Sequence, residues 1–178
     1  MFAIGAQLNR GAVVTKDEMK QGKIPGEGNV FMTADANGSK EYVVVKLAGS
    51  ITYLNGQAIT IDTPTGVAVV GTTNPALGLM GRVGILTFAS ATATSTAVGT
   101  CFAWAQIYGR ANALTSASIT TPGQMMSFGV DGRLIAVIAA NSASAMIGGI
   151  SSIGTATAAL AVMLPVMLAY PRLHSYPA

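Results

Sequence analysis

The stretch Thr100-Cys-Phe-Ala-Trp-Ala-Gln-Ile-Tyr108 decides the fold class. Read as a strand, it places Phe102, Trp104, Gln106 and Tyr108 on one face and Cys101, Ala103, Ala105 and Ile107 on the other. One row is large and the other mostly small. That suits a strand packed on both sides, its aromatics filling a core or a subunit contact. The same rhythm continues outward. Short runs rich in Val, Ile, Thr, Phe and Tyr alternate with Gly, Pro and Asn. They predict strands over residues 41–47, 57–61, 66–71, 81–88, 100–108, 118–121, 124–128, 133–139, 145–150 and 159–169.

The turn chemistry between these runs is specific. Asn37-Gly38, Asn55-Gly56 and Asp131-Gly132 are hairpin dipeptides that supply positive φ. Thr63-Pro64-Thr65-Gly66 and Thr121-Pro122-Gly123 place Pro and Gly as β-turns use them. The Ala-rich stretches carry too much Thr, Ser, Val and Gly to favour helix. Residues 89–99 (ASATATSTAVG) read as a flexible hairpin loop, and residues 148–157, with Gly148-Gly149 and Gly154, as a turn region. The expectation is a mainly β chain, a barrel or sandwich of short antiparallel strands. No internal repeat stands out.

Two segments flank that pattern. Residues 1–29 read as an extended N-terminal arm with five glycines, Pro25 and seven of the chain's 17 charges. Within it, Thr15 and Glu18 have capping-box spacing, which predicts a helical turn. Residues 30–178 form the expected β-rich domain, closing in a short proline-containing tail, Tyr170-Pro171-Arg172-Leu173-His174-Ser175-Tyr176-Pro177. The mostly apolar start, Met1–Leu8, is brief and lacks a basic lead, so it is not expected to act as a secretory signal.

Charge is sparse. Only 10% of the 178 residues are charged, against about 25% in an ordinary soluble domain. Eleven of the charges lie in residues 1–46, leaving Arg82, Arg110, Arg133, Arg172, Asp62 and Asp131 for the other 132 residues. So few charges suggest that much of the surface is covered by other chains or by lipid. The net charge of +3 comes with no basic stripe, so nucleic acid is not an expected partner.

The usual parts of an enzyme are not assembled. His174 is the single histidine, and the tail offers it no rigid support or orienting group. Cys101 is the single cysteine and reads as a buried thiol. Five of the seven acids lie at or before Glu41. No phosphate loop, dinucleotide fingerprint or metal-ligand spacing appears, so neither metal nor cofactor is expected. Three glycine–arginine pairs put Arg82, Arg110 and Arg133 at expected strand ends, where each suits bidentate contact with a carboxylate across an interface or plain solvation. Trp104 and Tyr108 complete the candidate interface set. A sugar platform on Trp104 lacks an accompanying polar cluster. No charge falls between Arg133 and Arg172, but the apolar run over 156–170 is shorter than the ~20 residues of a membrane helix and contains Pro165. A membrane is therefore the less favoured partner.

The chain from Glu41 onward resembles the head decoration (cement) proteins of tailed bacteriophages. The resemblance lies in Tyr42-Val-Val-Val-Lys46 leading into Asn55-Gly56-Gln57, and in the strand Phe102-Ala-Trp-Ala-Gln-Ile-Tyr-Gly109. It continues in Thr121-Pro-Gly, Asp131-Gly-Arg133 and the closing Met163-Leu-Pro-Val-Met-Leu-Ala-Tyr-Pro171. It implies a homotrimer of β-barrels or β-tulips on the outer surface of the virion, bound between major capsid protein subunits and stabilising the shell. Three other roles stay open on the residues alone: a small membrane protein, a minor coat or tail-tube subunit, and a glycan-binding surface module.

Overall fold

A computed structural model describes residues 13–21, 28–62, 65–71, 81–90, 92–95, 100–116, 118–137, 146–155 and 162–174. The first elements are β1 (Val14–Thr15), α1 (Lys16–Lys20), β2 (Val30–Asp35), β3 (Gly38–Leu47), β4 (Ile51–Leu54), β5 (Ala58–Ile61) and β6 (Val67–Val70). They are followed by β7 (Arg82–Thr87), β8 (Thr92–Ser95), β9 (Cys101–Thr115), β10 (Met125–Phe128), β11 (Leu134–Ala136), β12 (Met146–Ser152) and β13 (Val162–His174). The chain is mainly β, as its alternation indicates.

The strand pairings close two five-membered circuits that share β9. The first runs β9–β3–β6–β5–β7 and back to β9, with Ala105 lying between Val43 of β3 and Leu86 of β7. The second runs β9–β11–β10–β12–β13 and back, with Val162 to Ala169 pairing against Thr115 to Tyr108. Each circuit needs one parallel contact to close, β3 with β6 and β11 with β9. The sheet is therefore mixed and not purely antiparallel. Closure removes open edges within the circuits, while β2 lies outside them and pairs with β3 alone.

Each circuit has its own core. Odd-numbered residues of β9 point inward in both, because side chains alternate with period two. Ala103, Ala105 and Ile107 join Val43, Val45, Leu47, Ile59 and Leu86 in the first core, and Ala111 and Ala113 join Phe128, Leu134, Ile147, Leu164 and Leu168 in the second. β5 and β7 are buried on both faces: Ile59 and Leu86 belong to the first core, Ala58, Val83 and Ile85 to the second. A small separate sheet of β4 and β8 lies against the first core. Its Tyr53 is buried, and its hydroxyl donates to the Ala68 carbonyl (3.0 Å) and accepts from the Ala48 amide (2.9 Å). Burial pushes that hydroxyl's pKa above its ordinary 10.0.

Several expectations need correction. β9 runs on through Gly109-Arg110 to Thr115, so that pair lies within a long strand and not at a strand end. β13 continues through Pro171 and Arg172 to His174, so the segment read as a tail is sheet as far as residue 174. The stretch read as a loop over 89–99 contains β8, and β12 passes through Gly148-Gly149, where a bulge and the positive φ of Gly149 (83°) absorb the glycines. Only Ile119 makes a sheet bridge in the stretch expected to be a strand over 118–121. β2 and β4 were not anticipated. Asn55-Gly56 makes a turn but no hairpin, because β4 pairs with β8 and β5 with β6 and β7. The expected strand residues 138–139, 145 and 159–161 lie outside the described residues.

Within the arm, residues 13–21 lie on the chain's own β9. Val14 pairs with Phe102 and Thr15 with Cys101. The capping box forms as its spacing indicates: the Thr15 hydroxyl accepts from the Glu18 amide (3.3 Å), and Glu18 accepts from the Thr15 amide (3.0 Å).

Candidate functional site

The even-numbered face of β9 changes character along its length. Phe102 and Trp104 are covered by Val14, Tyr42 and Val44, with Met19 and Phe31 packed alongside. Phe31 and Tyr42 meet the Trp104 ring edge-on at 5.9 and 6.4 Å. Further along, the cover ends: Gln106 is buried, Tyr108 half-buried, and Arg110 and Asn112 exposed. The candidate site lies where the cover stops, at the waist between the two circuits.

Backbone geometry makes the waist. Gly109 has φ of 84°, and a Cβ there would lie 2.2 Å from the Ser39 carbonyl oxygen. The Gln106 side-chain amide donates to the carbonyls of both Tyr108 (2.9 Å) and Arg110 (3.0 Å), pinning the chain on either side of the glycine. Next to it, Tyr108 stacks on Tyr170 at 5.0 Å. The Tyr170 hydroxyl donates to the buried Glu41 carboxylate at 2.6 Å, and that bond raises its pKa above the ordinary 10.0. A cleft of about 250 Å³ opens beside the waist, lined by Asn37, Lys40, Asn55, Arg110 and Asn112 over Leu86 and Met163.

Beyond the cleft, the outer face of the second circuit is open. Met125 of β10, Ser151 of β12, Met167 of β13 and Arg110 of β9 stand in one cross-strand row. Met125 (45%), Met163 (43%), Met167 (44%) and Tyr170 (49%) are exposed to the extent shown.

The structure separates the residues that the sequence singled out. Tyr108 and Arg110 lie together at the waist. Trp104 has 0% exposure and is interior to the chain. It therefore fills a core, the first of the two uses the alternation allowed, and cannot serve as an exposed sugar platform. Its Nε1 has no hydrogen-bond partner among the described residues. Arg82 stands directly opposite Arg172 across β7 and β13, both exposed. Arg133 is half-buried beside the Val130–Gly132 turn, its Nε buried without a partner among the described residues. Cys101 is free and half-buried, less enclosed than expected. Sequence reasoning missed Glu41, Tyr170 and the methionine face. The alternation of Met163 and Met167 with Leu164, Val166 and Leu168 was the available signal for the last.

Among the described residues no helix is long and apolar enough to cross a membrane, and no three acids, cysteines or histidines gather as metal ligands. No protein-family model matches the chain, and no curated protein matches it.

Proposed function

We propose that this protein is a non-enzymatic structural subunit that decorates a viral capsid, binding between major capsid protein subunits and stabilising the shell as a homotrimer. One observation carries the packing role. The outer face of the second circuit presents three exposed methionines, an exposed tyrosine and Arg110 on a closed sheet. Met, Tyr and Arg are enriched in protein interfaces, and Met adapts its shape to the surface it meets. A sheet face supported by a filled core loses little conformational freedom when another chain covers it. The sparse charge over residues 47–178 supports the same reading. The choice of a capsid as the assembly rests on the resemblance of the strand and turn motifs to phage decoration proteins.

The test is co-sedimentation with DNA-free capsid shells of the virus that encodes the chain. Saturable binding, with shells that withstand higher temperature or denaturant when decorated, is the expected result. Substituting Met125, Met163 and Met167 together by serine should abolish binding and leave the circular dichroism of a β protein. Shells that bind wild-type and triple variant equally, or neither, contradict the proposal.

A further inference from the structure

The waist cleft combines a cation carried on a pinned backbone with a shortage of carboxylates in the chain's own structure. Asp35 is engaged by Lys40 (2.6 Å), Glu41 by the Tyr170 hydroxyl (2.6 Å) and Asp62 by the Thr65 hydroxyl. Asp17 and Glu18 are held within the α1 turn. Asp131 sits in the turn between β10 and β11, and the single acidic side chain outside the described residues is that of Glu27. Arg110 has no ion-pair partner among the described residues. Its backbone is fixed by Gln106 and by the Gly109 conformation, a local irregularity of the kind that re-aims a side chain. Around it, Asn37, Asn55 and Asn112 line the cleft with Lys40 at its wall. Asn55 already spends its carbonyl oxygen on the Phe88 amide (3.2 Å), which leaves its NH2 as a donor.

We infer that this cleft is a carboxylate-binding site, with Arg110 as its cationic anchor and the neighbouring asparagine amides as secondary donors, and that it receives an acidic side chain of a partner protein. Guanidinium and carboxylate match geometrically and form charge-assisted bonds. The location favours a partner chain over a free anion. Arg110 pairs across the strands with exposed Met167, and Met163 lines the cleft, so a chain covering the methionine face brings its side chains to the cleft mouth. The inference rests on that face being a docking surface.

The test follows backbone amide resonances of the full chain by NMR at constant ionic strength during titration with a hexaglutamate peptide and, separately, with succinate. The expected result is saturable shifts at Gln106, Arg110 and Asn112 with the peptide, weakened about tenfold or more in Arg110→Gln and retained in Arg172→Gln. Absence of saturable shifts with both the peptide and succinate overturns the site. Equal loss in Arg172→Gln overturns it too, because it reduces the effect to net charge. Saturation by succinate but not by the peptide overturns the partner-chain source. A chain that binds shells normally yet ignores both ligands removes the cleft and leaves the docking face standing.

Discussion

At Gly109 two constraints act on one residue. Its φ of 84° is a conformation that L side chains rarely adopt, and the Ser39 carbonyl occupies the place of a Cβ. Gly109→Ala should therefore cost the backbone term of about 1–3 kcal/mol plus the cost of displacing β3. Gly38→Ala provides the comparison, because Gly38 has φ of 98° with open space around it and should show the backbone term alone. Urea unfolding of both variants measures the difference. Tyr53 makes a second residue-scale case. Tyr53→Phe removes a buried hydroxyl bonded to two backbone groups and should destabilise by roughly 1–3 kcal/mol. The sign with pH is fixed by the raised folded pKa. Above the unfolded value of 10.0, the unfolded chain releases the proton first, so stability is complete below pH 10 and falls as pH rises beyond it. The urea midpoint of wild type should drop above that pH, and less steeply in Tyr53→Phe.

At the scale of elements, β1 and α1 are the informative pieces. They cover Phe102 and Trp104, so deleting residues 1–21 should do more than loosen an arm. It should admit water to the indole, shift Trp104 fluorescence to longer wavelength and lower stability. Unchanged emission would mean that β2 and β3 alone keep the ring dry. The β7–β13 contact gives another prediction. Arg82 faces Arg172 across the strands, and like charges directly opposite are unfavourable. Arg82→Glu should raise stability by about 0.2–1 kcal/mol, with the gain fading in high salt.

These elements also show what the sequence made legible. The period-two alternation of 100–108 identified the two faces of β9 correctly, because both faces are buried and each side chain reports its face. The hairpins at Asn37-Gly38 and Asp131-Gly132 were readable from residues that tolerate positive φ. The continuation of β9 past Gly109 was hidden, since a glycine there looks like an end when it is a bend. β8, made of Thr, Ala, Thr and Ser, lacks an apolar signal and exists through its pairing with β4. Of the candidate site, Tyr108 and Arg110 were visible in sequence. Glu41 and Tyr170, 129 residues apart, were not, because only the closure of both circuits on β9 brings them together.

At the scale of the whole molecule, the two circuits behave as one body. They share β9, and β5 and β7 pack against both cores. Gln57, immediately before β5, donates to the Asp131 carbonyl in the β10–β11 turn at 2.7 Å, tying the first circuit to the second. Such a body suits a role in which rigidity, not movement, is useful. The outer face of the second circuit carries exposed Met125, Met163 and Met167, and the central claim is that the chain assembles as a homotrimer that turns this face to other chains. The most direct test is the native mass of the full chain in detergent-free buffer, by light scattering after size exclusion. The account predicts a soluble particle of three times the 18.0 kDa chain mass, retained with serine at Met125, Met163 and Met167, because that face is kept for the capsid. A wild-type chain that stays at 18.0 kDa across the accessible concentration range would contradict it.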